Sequence, residues 1–299
     1  MTIRSASQFS SKYLIFVSLA AIFLACHAGT AHHLSKSITW PSMVMVRALF
    51  TLVFLKIFFV REPVPWTHRG LISRSFFGGL FVCSFYIALS KIPVPDVLAI
   101  VSTLPVWIAL LFLLIYRIRP VPVFWAAVIS MIVGVAALEH VTPTTSGGGV
   151  LVAVLAAIFS ASGFFSIDHC RGVKSSVITF HLMVAVFVLG LAGTVIDRGS
   201  NLEVLLNSDI QTWGILAGMS IFAMAFQLSV VNAAKLGGSL AASFATILSV
   251  ILVTGLHFLM GQFMWQSAVA TLFILIPCVL FVVGVIPMPR RNAGDAVEQ

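Results

Sequence analysis

Long apolar segments, separated by short polar or Pro- and Gly-rich breaks, run through the whole chain. An apolar segment of about 17–25 residues can cross a hydrocarbon core about 30 Å thick as an α-helix. Ten segments meet this description, at 13–32, 41–60, 71–90, 97–116, 121–139, 149–168, 176–196, 212–234, 240–260 and 265–287. The breaks leave no room for a soluble domain. The pattern predicts an all-α integral membrane protein with ten transmembrane helices.

Composition agrees with a lipid environment. Apolar residues make up 60% and charged residues 9% of the 299 residues, against roughly 45–50% and about 25% in ordinary soluble domains. A water-soluble fold of this length could not bury so much apolar surface, so the lipid bilayer is the expected partner. The net charge of +8 is spread over many short loops and forms no basic stripe, which argues against nucleic-acid binding.

Cysteine and histidine spacing indicates neither a metal site nor a cofactor. The four cysteines are far apart and show no CxxC pattern. His27 and His32 are five residues apart, so they do not share one helical face. The chain also contains no HExxH or GxSxG motif. We therefore expect no metal, no cofactor and no catalytic residue.

Lysine and arginine residues collect in alternate breaks. With the N-terminus inside, twelve of them fall on the cytoplasmic side and only three, Lys36, Lys91 and Arg198, fall outside. The twelve are Arg4, Lys12, Arg61, Arg69, Arg74, Arg117, Arg119, Arg171, Lys174, Lys235, Arg290 and Arg291. Since short cytoplasmic loops are enriched in these residues, the bias predicts a multi-pass protein of the cell (inner) membrane with both termini in the cytoplasm.

The first apolar segment also fits a secretory signal. Arg4 and Lys12 precede the run YLIFVSLAAIFLA, and small residues follow near Ala28. Cleavage would leave nine helices and keep the same loops inside, so loop charge does not separate the two alternatives. The pairing of halves described next argues for ten helices.

Five helices in each half would start the second half on the opposite side of the membrane from the first, which is the arrangement of an inverted repeat. A shift of 144 residues places ALSKIPVPDVLAIVSTLPV over NAAKLGGSLAASFATILSV, with Lys91 over Lys235. We therefore expect two five-helix inverted repeats, at 1–145 and 146–299.

Two segments resemble a known transporter family. WPSMVMVRALFTLVFL, which contains Arg47, is similar to the second helix of the EamA branch of the drug/metabolite transporter superfamily. ALSKIPVPDVLAIVSTLPVWIALL resembles that family's junction between helices 3 and 4. The resemblance implies ten helices in two inverted repeats, a central cavity that faces alternate sides, and small metabolites as substrates, often exported. The Gly-Glu pairs common after helices 4 and 9 are replaced here, by Tyr116-Arg117 and Gly261-Gln262.

Arg47 is the most informative charge because it lies inside a predicted span. An arginine there costs at least about 2.5–3.5 kcal/mol unless it is paired, hydrated or able to snorkel. It is therefore either an anchor for an anionic or carboxylate-bearing substrate or a structural charge that reaches the interface or a helix carbonyl. His27 is a further candidate, as a proton relay or as an ordinary hydrogen-bonded histidine.

Uncharged polar residues at mid-span are candidates for a cavity wall, because an unsatisfied amide or hydroxyl is costly in lipid. Hydrogen bonds between helices are the alternative for each of them. Gln227 is the strongest candidate because a primary amide has few partners in the middle of a helix. The full set is Tyr86, Ser102, Thr103, Ser162, Ser166, Gln227, Asn232 and Thr246.

The acidic residues all fall in loops, tails or helix ends, so no carboxylate at mid-span suggests a proton relay. The leading hypothesis is a secondary transporter that moves a small organic metabolite, an amino acid or related solute, by alternating access, with export favoured by the family resemblance. The alternative is a non-transporting membrane protein, either an embedded enzyme or an assembly or receptor factor. Gly214 and Gly218, at GxxxG spacing, suit either tight packing within one chain or a homodimer.

Overall fold

The structure is a computed structural model that describes residues 10–61, 64–116, 122–141, 147–170, 172–196, 200–260 and 265–283. These residues form thirteen α-helices and one short 3-10 helix, Asp168–Cys170, with no strand among them. The helices are α1 Ser11–Leu34, α2 Trp40–Phe58, α3 Arg69–Leu89, α4 Val94–Val101, α5 Leu104–Tyr116, α6 Pro122–Val141, α7 Gly147–Ile167, α8 Ser175–Ile196, α9 Ser200–Leu206, α10 Ile210–Gly237, α11 Ser239–Ala242, α12 Phe244–Leu259 and α13 Trp265–Val283.

Eight helical segments of the described chain are long and apolar enough to cross a membrane. In two of them a break divides the span, so that α4 and α5 act as one and α11 and α12 as another. Two shorter apolar helices, Pro122–Ala137 and Ala268–Leu280, accompany them. The predicted all-α membrane fold is confirmed. The predicted count of ten spans is not confirmed by these lengths.

Side chains at the helix starts explain several boundaries. Ser10 accepts a hydrogen bond from the Tyr13 amide at 3.3 Å and begins α1. Asp209 begins α10 in the same way, through the Thr212 amide at 3.0 Å. Such caps satisfy amides that have no partner within the helix. At the other end of α10, Gly238 adopts a φ of 88°, which a residue with a side chain rarely does, and this turn separates α10 from α11.

The helices pack in pairs that connect the two halves of the chain. Helix α1 lies mainly against α10, α3 against α7, α2 against α8, and α6 against α13. Glycines allow the closest approaches, because a Cβ on Gly190 would lie 2.7 Å from the Met45 backbone nitrogen and one on Gly134 would lie 2.7 Å from Ile274. Every principal contact therefore joins a helix before residue 145 to one after it.

The outer surface of the bundle is apolar. Only 39% to 61% of the most apolar window of each long span is buried, and large side chains such as Ile57, Leu114 and Ile196 point outward. Water would not tolerate this surface, whereas lipid does. Gly214 and Gly218 also lie on an open face, with no heavy atom within 4 Å of where a Cβ would be. Tight packing within one chain therefore does not explain these two glycines.

Candidate functional site

Four helices from both halves enclose a cavity near the middle of the bundle, which we call the cationic cavity. Its lining comprises Leu24, His27, Arg47, Phe81, Val82, Phe85, Phe226 and Gln227. The volume open to a water-sized probe is about 10 Å³, which is room for roughly one water molecule. Three residues predicted from the sequence as binding residues, His27, Arg47 and Gln227, thus meet here, and Tyr86 lies directly beside them.

Arg47 is deeply buried, at 2% exposure, and only weakly paired. One terminal nitrogen donates to the Tyr86 hydroxyl at 3.4 Å and the other to the Met183 sulfur at 3.9 Å, while Nε has no partner. The guanidinium also lies 5.6 Å from the centre of the Tyr86 ring. A guanidinium has five N–H donors, and these neutral, long contacts leave most of its capacity unused. Arg47 neither reaches the surface nor meets a carboxylate among the described residues.

His27 and Tyr86 complete the wall around Arg47. The Tyr86 hydroxyl and the His27 Nε2 atom are 3.4 Å apart, and the two rings are in contact with centroids 5.6 Å apart. On its other side the imidazole stacks on Phe85, with ring centroids 6.2 Å apart. The tyrosine is thus positioned between the arginine and the histidine. This arrangement can donate hydrogen bonds to a negatively charged group that enters the cavity.

A second arginine, Arg74, lies next to the cationic cavity. It was counted among the charges on the cytoplasmic side and was not predicted as a site residue, and the structure buries it within α3. Arg74 lies in the second turn of α3 with 1% of its surface exposed. Its Nη2 atom donates to Gln227 Oε1 at 2.9 Å, its guanidinium lies 5.6 Å from the centre of the Phe164 ring, and its Nε has no partner. Gln227 lines the cavity, so it connects the two arginines.

Glycines create the space that holds the Arg74 guanidinium. A Cβ on Gly163 of α7 would lie 2.7 Å from Arg74 Nη1, closer than real contacts allow, and one on Gly78 would lie 3.4 Å away. Gly78 follows Arg74 by one helical turn, so the side chain extends along α3 toward its middle rather than back toward the start of the helix. The position of this charge is therefore built into the packing of α3 against α7.

Together the two arginines place two positive charges in the interior without acidic partners. At about 2.5–3.5 kcal/mol each for a charge within the bilayer, the pair costs about 5–7 kcal/mol. No Asp or Glu of the described residues pairs with either guanidinium. The acidic residues that the structure describes lie at helix ends, such as Asp96 in the first turn of α4 and the capping residue Asp209. The arrangement is chemically suited to bind an anion.

The remaining candidates bond mostly within their own helices. The hydroxyls of Ser102, Thr103 and Thr246 each donate to a carbonyl three residues earlier, at 2.6 to 2.7 Å. Asn232 accepts from Ser175 at 2.7 Å on α8. Ser162 and Ser166 donate to carbonyls of α7, and Ser166 also bonds to Ser73 at 2.7 Å. None of the six lines the cationic cavity, although Ser102 and Thr103 mark the break between α4 and α5.

These features describe a multi-pass α-helical membrane protein with a small cavity beside a buried arginine. Residues 11–138 match the family model described as "EamA-like transporter family". This family belongs to the drug/metabolite transporter superfamily, so the resemblance read from Arg47 and its neighbouring segments is confirmed over that range. It is a family of transporters rather than of enzymes.

Solved structures share the fold of the chain. A structure titled "Crystal structure of protein" superposes with a TM-score of 0.54 and 16% sequence identity, over 92% of this chain and 98% of that one. At this identity the likeness concerns the fold alone. No curated protein matches the chain.

Proposed function

We propose that this protein is a secondary transporter that carries a small organic metabolite with a carboxylate group, an amino acid or a related solute, through the cationic cavity. Arg47 binds the carboxylate, Tyr86 and His27 hydrogen-bond to it, and Gln227 contacts the rest of the solute. The observation that carries this proposal is the burial of Arg47 at 2% exposure, with two long contacts to neutral groups and none to a carboxylate.

Alternating access is supported by the way in which the two halves pack. In the two predicted repeats α1 corresponds to α7, α2 to α8, α3 to α10 and α6 to α13. The contact of α1 with α10 therefore corresponds to the contact of α7 with α3. The α2–α8 and α6–α13 contacts each join two corresponding helices. The family match at 11–138 covers most of the predicted repeat at 1–145. Two inverted repeats of five helices, 1–145 and 146–299, would produce this symmetry and let the halves rock about a central site.

Opening of the bundle is part of the proposal. The cavity has room for about one water molecule, so a metabolite enters only if helices separate. Helices α1 and α10, which both line the cavity, also pack against each other. Helix α1 also supplies Leu24 and His27 to the lining, so the proposed transporter retains its first segment rather than losing it as a signal peptide.

Export across the cell (inner) membrane, with both termini in the cytoplasm, completes the proposal. Loop charge supports the orientation, and family resemblance supports the direction. The homodimer is proposed on the Gly214 and Gly218 face, which is open in the single chain. The test is Gly218→Cys followed by oxidative crosslinking in native membranes. Crosslinked dimers would support the proposed homodimer, and monomers alone would contradict it.

Flux in proteoliposomes tests the transport function. Labelled carboxylates and amino acids are loaded, and efflux is compared between the wild type, Arg47→Ala and the control Arg69→Ala, which removes an exposed charge from the start of α3. Loss of one partner of a buried charge pair costs about 2–5 kcal/mol. We therefore expect Arg47→Ala to slow efflux at least tenfold while Arg69→Ala behaves as wild type. Absence of flux for every solute would favour the alternative of a membrane enzyme or an assembly or receptor factor.

A further inference from the structure

Arg74 is not needed to bind a single carboxylate, yet it is buried beside the cationic cavity as completely as Arg47. Its one hydrogen-bond acceptor, Gln227, is a neutral amide that itself lines the cavity. A structural charge would be expected to reach the interface or an acidic partner, and Arg74 does neither among the described residues. Its role therefore calls for a ligand.

The two arginines approach the cavity from opposite sides of the membrane. Arg47 lies about 10 Å from the start of α2, and Arg74 about 8 Å from the start of α3. Successive spans cross the membrane in opposite directions, so these depths are measured from opposite faces. Along the membrane normal their Cα atoms are then on the order of 10 Å apart. Gln227 bonds to Arg74 and lines the cavity together with Arg47.

We propose that the cationic cavity selects a short-chain dicarboxylate, with one carboxylate on Arg47 and the other on Arg74. This inference rests on the proposed transport function and specifies its substrate class. Two separated guanidinium groups match two carboxylates at the ends of a short carbon chain. The apolar rings of Phe81, Phe85 and Phe226 line the cavity beside Arg47 and suit the methylene groups.

Gln227 acts as a neutral substitute for the second carboxylate. Its Oε1 atom accepts from Arg74 at 2.9 Å, the position that a carboxylate oxygen of the solute takes when it binds. Exchange of this bond to a neutral amide for an ion pair with a carboxylate favours the dicarboxylate over a solute with an uncharged second end, since the opposite charge adds a Coulomb attraction that is strong at a buried site. Gln227 therefore positions Arg74 before the substrate binds. When the substrate binds, its carboxylate replaces Gln227 as the hydrogen-bond acceptor of Arg74.

Succinate and butyrate form a matched pair of probes, since both have four carbons and they differ by one carboxylate. Thermal stability of the purified protein is measured against increasing concentrations of each, with inorganic phosphate as a compact anion, at a pH where every carboxyl group is ionised. For the wild type we expect succinate to bind at least about tenfold more tightly than butyrate. Arg74→Gln should abolish this preference, with the affinity for butyrate unchanged.

Gln227→Glu gives an independent reading because it retains the shape of the side chain. The new carboxylate lies beside Arg74 and pairs with it, so the ratio of succinate affinity to butyrate affinity should fall from about ten to about one. This variant is expected to fold, because it adds a partner to a buried charge.

The outcomes separate the substrate class from the transport function. Equal binding of succinate and butyrate to the wild type, or equal loss of both in Arg74→Gln, overturns the dicarboxylate assignment. Binding of phosphate in preference to succinate does the same. If a monocarboxylate or amino acid is transported through Arg47 without a preference for two carboxylates, only this inference fails. Absence of flux for every anion removes both.

Discussion

Gly163→Ala tests the position of the Arg74 guanidinium directly. The added methyl group would lie 2.7 Å from Arg74 Nη1 and 3.5 Å from the Gly78 backbone nitrogen. The guanidinium, the far end of a flexible side chain, must therefore shift, and the shift weakens the buried 2.9 Å hydrogen bond from its other terminal nitrogen to Gln227. A hydrogen bond to a charged group contributes about 1.5–3 kcal/mol.

The expected magnitude follows from two opposing effects. Alanine is about 1 kcal/mol better than glycine inside a helix, which offsets part of the lost hydrogen bond. The net destabilisation is then up to about 0.5–2 kcal/mol, reached if the hydrogen bond is lost in full, enough to lower the thermal midpoint in detergent by a few degrees. Gly255→Ala in α12 is the control, because a Cβ there meets no heavy atom within 4 Å and the position is exposed. That variant should be as stable as the wild type or slightly more stable.

A double-mutant cycle identifies the cause. In the Arg74→Gln background the side chain is shorter, so Gly163→Ala should cost little and the two changes should be strongly non-additive. If Gly163→Ala is as harmless as Gly255→Ala, or if its cost is the same with and without Arg74, the guanidinium does not occupy this space. The argument for a second cationic group beside the cavity would then be refuted.

Three further changes probe other parts of the chain. Tyr86→Phe removes a 3.4 Å contact to Arg47, and we expect the KM for a transported anion to rise a few-fold with little change in stability. Tyr13→Phe removes a 2.7 Å hydrogen bond to a carbonyl of α11 and should lower the stability measured by thermal unfolding by about 1 kcal/mol. Asp209→Ala removes the cap of α10, whereas Asp209→Asn keeps it. Because hydrogen bonds to the amide and hydroxyl of Thr212 lower the Asp209 pKa below 3.8, this stabilisation is present above the unfolded-state pKa and is lost as pH falls through the lower folded-state value. A stability profile in acid that is the same for the wild type and the Asp209→Asn variant would contradict it.

Helix positions could be predicted closely from the apolar pattern, because lipid requires long uninterrupted apolar segments. The predicted span at 176–196 corresponds to α8, Ser175–Ile196, and the span at 41–60 to α2, Trp40–Phe58. The span at 97–116 begins earlier in the structure, at Val94, since proline is tolerated in the first turn of a helix and does not mark a break there.

Of the polar residues in and beside the cavity, Arg47 and Gln227 could be predicted from the sequence, whereas Arg74 could not. Arg47 and Gln227 were identifiable because a charge and an amide at mid-span have few harmless surroundings. Arg74 was missed because an arginine close to the start of a span resembles a loop charge under the positive-inside rule. Its glycine one turn later, Gly78, is the available signal, as it leaves space along the helix for a long side chain.

Hydroxyl groups left two alternatives open in the sequence. Ser102, Thr103 and Thr246 were candidates either for the cavity wall or for hydrogen bonds to helices, because a free hydroxyl is costly in lipid. In the structure each bonds to a carbonyl of its own helix or of the turn before it. Serine and threonine can satisfy themselves locally in this way, so their polarity alone does not indicate which way they face.

Arg47 and Arg74 are part of the protein and are not transported. This determines the net charge that one complete cycle of the proposed transporter moves across the membrane. Because their charges return to the same place after each turnover, the net charge moved is that of the solute alone. Each negative charge carried outward across a membrane that is negative inside gains about 2.3 kcal/mol per 100 mV. A solute with two such charges gains about 4.6 kcal/mol, equivalent to a concentration ratio of about two thousand. The membrane voltage is then a sufficient energy source for export, and changing it with an ionophore should change the rate of efflux in the same direction.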